Sequence, residues 1–306
     1  MKLSNIALVA AFLLSIPAVT GCAHDASSSN SSDPGASDNG ANLGTDEAAL
    51  VADDSEASDA DDNMENGVDA PLSGAEVSDP GAPADGASDD EMLEKVCANA
   101  GKHFLGRCLE STRDGHTIHH VFKACRAAWS LKTFEGTVHS TYVRDGNKLT
   151  ITHQFDGFLA NGAKLSGERV IEYTREKSAS SDDVVISKHR TGNFEGETKN
   201  GKEISHKADF SASYDKASKC VTREGSAETT IGNVSFSRTL TDYKRCGIGA
   251  HGCPEAGGKL VLKRENAAKN KDVSVSIEFM GDDKMQVTRR DGKVVERTLQ
   301  CNEDAS

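Results

Sequence analysis

The sequence predicts a mainly β (α+β) fold: an antiparallel meander of about eleven strands forming an open or closed barrel, preceded by two short N-terminal helices. Three observations carry this expectation. After Leu131 the apolar residues recur with a period of two, as in Phe134, Val138 and Tyr142, in Leu149, Ile151, His153 and Phe155, and in Ile204, His206, Ala208, Phe210, Ala212 and Tyr214. Such alternation indicates antiparallel strands with one wet face. Turn dipeptides separate these runs at Asp145-Gly146, Asn161-Gly162, Asn200-Gly201, Gly232-Asn233 and Asp291-Gly292. Before Leu131 the spacing is instead helical, with Leu93, Val96 and Cys97 in one stretch and Ile118, Phe122, Cys125 and Trp129 in a second.

The chain opens with a single cation, Lys2, and an apolar run from Ile6 to Val19 broken by Ser15 and Pro17. That run is too short for a membrane span of about 20 residues and suits the apolar core of an export signal. Val19, Thr20, Gly21 and Cys22 then resemble the lipobox of bacterial lipoproteins: hydrophobic, small, Gly, Cys. The resemblance implies a signal peptide over residues 1–21 and acylation of Cys22, which anchors the chain to a membrane. Ala23 stands where that family uses Asp for inner-membrane retention, which points to the outer membrane.

Residues 22–90 read as a disordered acidic tether. From Ala23 to Asp90 there are 18 Asp or Glu and no Lys or Arg, so the segment repels itself and holds too little apolar surface to offset its ordering entropy. Its one metal-like motif, Asp59 to Asp69, places Asp59, Asp61 and Asn63 as a calcium loop would, but Met64 occupies the glycine position and Ala70 the terminal Glu position. Without the tether and Lys2, residues 91–306 hold 30 acids and 34 bases, too balanced for a nucleic-acid surface.

Residues 91–131 form the expected helical segment and 132–306 the β domain. Within the latter, Phe155 to Ser166 and Phe194 to Ser205 share the pattern F-x-G-x-x-x-N-G-x-x-h-S, where h is apolar, and read as successive hairpins. The stretch TGNFEGETKNGKEI and the later Cys and Gly spacing also resemble, loosely, uncharacterised β-rich bacterial lipoproteins. That resemblance implies no known activity.

Seven cysteines follow the anchor: Cys97, Cys108, Cys125, Cys220, Cys246, Cys253 and Cys301. In an exported chain they read as disulfides. A hairpin turning at Gly232-Asn233 opposes residues whose numbers sum to about 465; Cys220 and Cys246 are one residue from that register, which a bulge would repair. Cys253 is expected to meet Cys301, leaving one pair and one odd thiol among Cys97, Cys108 and Cys125. A metal site is not expected: there is no C-x-x-C, and His116, His119 and His120 give two ligands at most per helical face.

Four polar residues share the apolar strand faces: His153, Arg169, His206 and Arg238. Inward charge must be paired or wet. The four are therefore candidate contacts for an anionic or polar ligand in a cavity, against the alternative that they lie where strand ends meet water. Catalytic patterns fail: Ser213 to Lys216 matches S-x-x-K without its companion motifs, and no nucleophile elbow, zinc-protease helix or phosphate loop occurs. One Trp and 5% aromatic residues also argue against a sugar-stacking groove. The expectation is an anchored binding or interaction module of the cell envelope, without cofactor, whose partner is an envelope protein or an amphiphile. A periplasmic lipid carrier and an enzyme of unknown class are the alternatives.

Overall fold

A computed structural model describes residues 88–127, 132–177, 184–247, 253–266 and 271–299. The signal, Cys22, the tether and Cys301 lie outside the described residues. Among the described residues there is one α-helix, α1 (Asp89–Ala100), followed by a 3-10 turn (Gly101–His103). Ser88 and Glu91 cap the helix reciprocally: the Ser88 amide donates to Glu91 Oε2 at 3.1 Å and the Glu91 amide to Ser88 Oγ at 3.3 Å. Asp89, Asp90 and Glu91 in the first turn complement the helix dipole.

Everything else is strand: β1 (Phe104–Leu105), β2 (Leu109–Asp114), β3 (Thr117–Ala127), β4 (Thr133–Asp145), β5 (Lys148–Ala160), β6 (Ala163–Lys177) and β7 (Val184–Glu197). They continue as β8 (Glu203–Asp215), β9 (Cys220–Ile231), β10 (Val234–Cys246), β11 (Lys259–Asn266), β12 (Lys271–Gly281), β13 (Lys284–Thr288) and β14 (Val294–Thr298). All fourteen belong to one antiparallel sheet in which β3 to β14 are ordered as in sequence, while β1 and β2 both pair with β3.

Two expectations are corrected. Among the described residues the sheet does not close into a barrel: β1 and β2 share one edge, and β14 pairs with β13 alone. Among the described residues there is no second helix: the stretch read as helical holds β1, β2 and β3, which raises the count of described strands from about eleven to fourteen, and Trp129 lies outside the described residues. The helical spacing of Phe122 and Cys125 comes from a bulge. The β3–β4 register shifts between those two residues, and Ala124 there has a φ of 51°. Before the bulge Ile118, His120 and Phe122 alternate buried with the more exposed His119, Val121 and Lys123.

One face of the sheet carries the core, here termed the inner face. Phe104, Phe122, Phe134, Phe155, Phe158 and Phe194 form an aromatic cluster around Cys125. Leu93 and Val96 of α1 pack on Ile118, Tyr142, Leu149, Ile151, Ile171 and Tyr173. Toward β14 the cluster is mostly aliphatic, with Leu260, Leu262, Val275, Ile277 and Val287 at its centre.

Two disulfides tie neighbouring strands. Cys108 is bonded to Cys125, and Cys97 is the free thiol among the described residues. Cys220 is bonded to Cys246, directly opposite it in the β9–β10 ladder. That ladder begins with Val234 facing Ile231, shifts by one residue between Leu240 and Tyr243, and so brings the cysteines into line. Cys253 is also disulfide-bonded; its expected partner, Cys301, lies outside the described residues.

Candidate functional site

The inner face is built in cross-strand rows. One row runs Ser140, His153, Arg169, Gly192, Ala208, Ala227, Arg238 and Leu262 across β4 to β11. The next runs Val138, Phe155, Gly167, Phe194, His206, Thr229, Phe236 and Arg264 over the same strands. All four predicted ligand residues therefore lie on this face. His153 and Arg169 are direct cross-strand partners, and both are buried. His206, equally buried, is two strands further on, and the half-buried Arg238 four strands from Arg169. Four spacings amount to about 19 Å measured along the sheet.

Strand alternation adds four cations that the sequence reading missed. Lys188 and Arg190 of β7 share a face with Ile186 and Phe194, Arg223 of β9 with Val221, and Arg264 of β11 with Leu260 and Leu262. The signal was present: in "VVISKHRTGNF" the even positions read Ile, Lys, Arg, Gly, Phe, one face of a strand. The inward positions of β5 to β12 thus hold six central cations and no Asp or Glu.

Aromatic rings support several of these cations. Arg190 and Arg238 both lie over Phe210, at 5.3 and 5.9 Å from the ring centroid. Arg264 lies 5.9 Å from the centre of Phe236, and the Lys188 ammonium 5.8 Å from that of Tyr173. A ring's negative face attracts a cation, so each ring helps to hold the charge beside it. Phe210 has room because Gly225 stands opposite. A Cβ on Gly225, whose φ is 144°, would come within 2.6 Å of Phe210 Cα and 2.3 Å of the Asp209 carbonyl oxygen.

Three histidines on the inner face are each oriented by a hydroxyl directly across the ladder. Ser111 Oγ lies 2.9 Å from His120 Nδ1, Ser140 Oγ 2.8 Å from His153 Nδ1, and Thr229 Oγ1 2.8 Å from His206 Nδ1. His206 also stacks on Phe194, with centroids 4.5 Å apart. Burial, reinforced by the charges of His153 and His119, lowers the pKa of His120 to about 3. Burial and the nearby Arg169 and Lys188 lower that of His153 to about 3 as well. Both imidazoles are neutral at pH 7. Ser140 and His153 resemble a nucleophile and its base, but both are fully buried, so substrate does not reach them as they stand.

The histidines of "HTIHH" diverge rather than converge. His116 is exposed beside the β2–β3 turn, while His119 and His120 point to opposite faces of β3. Among the described residues, the group of three potential metal ligands is Cys220, Cys246 and Glu255, and its sulfurs are consumed by a disulfide.

A cleft of about 620 Å³ crosses β5 to β10, lined by Lys148, Glu172, His189, Ser211, Thr222 and Lys244 among others. His189 Nε2 is 2.9 Å from Asp209 Oδ1 and its Nδ1 is 3.7 Å from Glu172 Oε2, so both ring nitrogens face carboxylates and neither serves Ser211 as a base. Lys148 pairs with Glu172 and holds its carboxyl below the usual carboxylate range. Ser213, of the S-x-x-K match, places its hydroxyl 2.7 Å from Thr222 Oγ1. No protein family, curated protein or solved structure matches the chain.

Proposed function

We propose that this protein is a cell-envelope lipoprotein, exported by residues 1–21 and anchored in the outer membrane through Cys22, whose β domain binds an elongated anionic ligand along its inner face. One observation carries the reading: Arg169, Lys188, Arg190, Arg223, Arg238 and Arg264 all point to the same face of the sheet, among its aromatic and aliphatic side chains. A face that only packs would hold Leu or Val there; cations set among aromatic and aliphatic side chains instead suit an anion that carries apolar groups. The span from Arg169 to Arg238 sets the ligand's shape. A compact anion meets one end, whereas an extended one meets both.

Apolar residues of the inner face flank the cations, among them Ile171, Tyr173 and Leu240, which favours an anion carrying an acyl chain. The test is titration of the purified full chain with dodecyl phosphate beside the uncharged dodecyl maltoside. Binding of the phosphate alone, weakened at least tenfold in Arg190→Met, supports the proposal. Equal binding of both amphiphiles overturns the anionic reading and favours a carrier that recognises the apolar chain.

A further inference from the structure

We infer that His119 and His139 form a binding site for a late divalent transition-metal ion, Cu(II) before the others, on the outer face of the sheet. The site lies on the face opposite the cations and does not depend on the anion-binding reading.

Register builds the pair. His119 of β3 and His139 of β4 are direct partners in a ladder that runs unbroken from Thr117 opposite Thr141 to Phe122 opposite Gly136. Their neighbours in sequence, His120 and Ser140, are fully buried on the inner face, so alternation turns both imidazoles outward. There His139 is exposed and His119 half-buried. Directly opposed residues hold their Cβ atoms about 5 Å apart, within reach of one shared ion. The rings are inclined at 79° with centroids 4.7 Å apart, so they are not stacked, and the two Nδ1 atoms lie 2.5 Å from each other. The motif HTIHH conceals this pairing, because the second ligand comes from the next strand.

As the rings stand, one Nδ1 donates its N–H to the lone pair of the other. An ion takes the place of that proton. The donating ring passes its proton through solvent from Nδ1 to Nε2, both Nδ1 lone pairs then face the metal, and the two imidazoles stay neutral with no net loss of protons. Two nitrogens about 2.0 Å from one ion stand about 2.8 Å apart at a right angle and about 3.3 Å apart at the tetrahedral angle. The right angle needs the smaller opening, and rotation about χ2, a soft torsion in histidine, supplies it at the surface. Right-angled nitrogen ligands suit tetragonal Cu(II) or Ni(II) better than tetrahedral Zn(II), and Cu(II) is the tighter binder.

The surroundings admit a positive ion. Thr112 and Gln154 stand beside the pair on β2 and β5, and Gln154 Nε2 donates to Glu168 Oε2 at 3.0 Å. The diagonal positions on β2 are Glu110 and Asp114, and the direct and diagonal ladder neighbours of the pair include no Lys or Arg. Two protein ligands leave the remaining positions of the ion to water.

The test is titration of the purified full chain with Cu(II), followed by electron paramagnetic resonance. The chain has ten histidines, so variants make the assignment. The parent is expected to bind one ion most tightly, with splitting from two imidazole nitrogens. His119→Gln and His139→Gln are each expected to weaken that site at least tenfold and to remove the two-nitrogen splitting. His116→Gln, at the exposed β2–β3 turn, is expected to change neither. Cu(II) should also raise the urea midpoint of the parent and of His116→Gln but not of the other two, and the same curves show that every variant folds. No binding by the parent overturns the site. Affinity and splitting unchanged in His119→Gln or in His139→Gln overturn it too, as does an equal loss in His116→Gln.

Discussion

The aromatic end of the inner face and its cationic centre obey the same period-two rule yet do opposite work. Around β3 to β5 the inward positions are Phe122, Phe134, Phe155 and Phe158, with rings 5 to 7 Å apart in edge and stacked contacts. Around β6 to β10 the same positions are Arg169, Lys188, Arg190 and Arg238, steadied in part by Tyr173 and Phe210. Apolar burial stabilises in proportion to the area removed from water, so the aromatic end holds the sheet together. The cationic centre contributes little to stability by itself, because desolvating a charge offsets what its pairing returns. The difference teaches that burial on one face does not identify its purpose; the chemistry of the buried groups does.

That contrast can be broken at its strong end first. Phe158→Ala is expected to cost about 3–5 kcal/mol in urea unfolding, since the residue is fully buried among the rings of Phe122, Phe134 and Phe155. A loss below about 1 kcal/mol would show that the aromatic cluster does not carry the fold. Replacing Cys108 and Cys125 together by Ala should cost about 3 kcal/mol, because the bond closes a loop of 17 residues beside the same cluster; the unfolding midpoint of the double variant measures it.

The buried histidines give a pH signature. His120 and His153 titrate at about 3 in the folded chain against 6.5 when unfolded. Between those values the unfolded chain binds the extra protons, so stability falls as pH falls below 6.5, by roughly 1.4 kcal/mol per pH unit for each histidine. Unfolding curves of His153→Phe between pH 6.5 and 4.5 should show the slope reduced by one histidine's share. An unchanged slope would mean that His153 accepts its proton while folded.

At the cationic centre the expectation reverses. Arg190→Met should cost about 1–2 kcal/mol, the worth of the contact with Phe210 that it removes, and a loss of several would place Arg190 with the structural core. The smallest effect is at the helix that joins the two regions: Ser88→Ala removes the cap of α1 and should cost about 1 kcal/mol. Hydrogen exchange in residues 89–96 would report it before global unfolding does.

Much of this molecule was legible from periodicity. The strands after Leu131, their turns, the helix at Asp89–Ala100 and the inward placement of His153, Arg169, His206 and Arg238 follow from alternation and turn chemistry, which are local properties of the backbone. β3 was misread because a bulge at Ala124 inserts one residue and converts a spacing of two into the helical three. Lys188, Arg190, Arg223 and Arg264 passed unremarked because a charged residue within a strand reads as outward until its neighbours fix the parity.

The sequence by itself determined that the chain after Leu131 alternates as antiparallel strands and that acids and bases are segregated along it. Those are consequences of side-chain period and composition. Only the tertiary structure decided that the sheet has two edges instead of closing, that the stretch from Ile118 to Cys125 is a bulged strand, and that six cations from Arg169 to Arg264 share one face. Closure and register depend on how pairings accumulate across many strands, and a single bulge moves every residue beyond it.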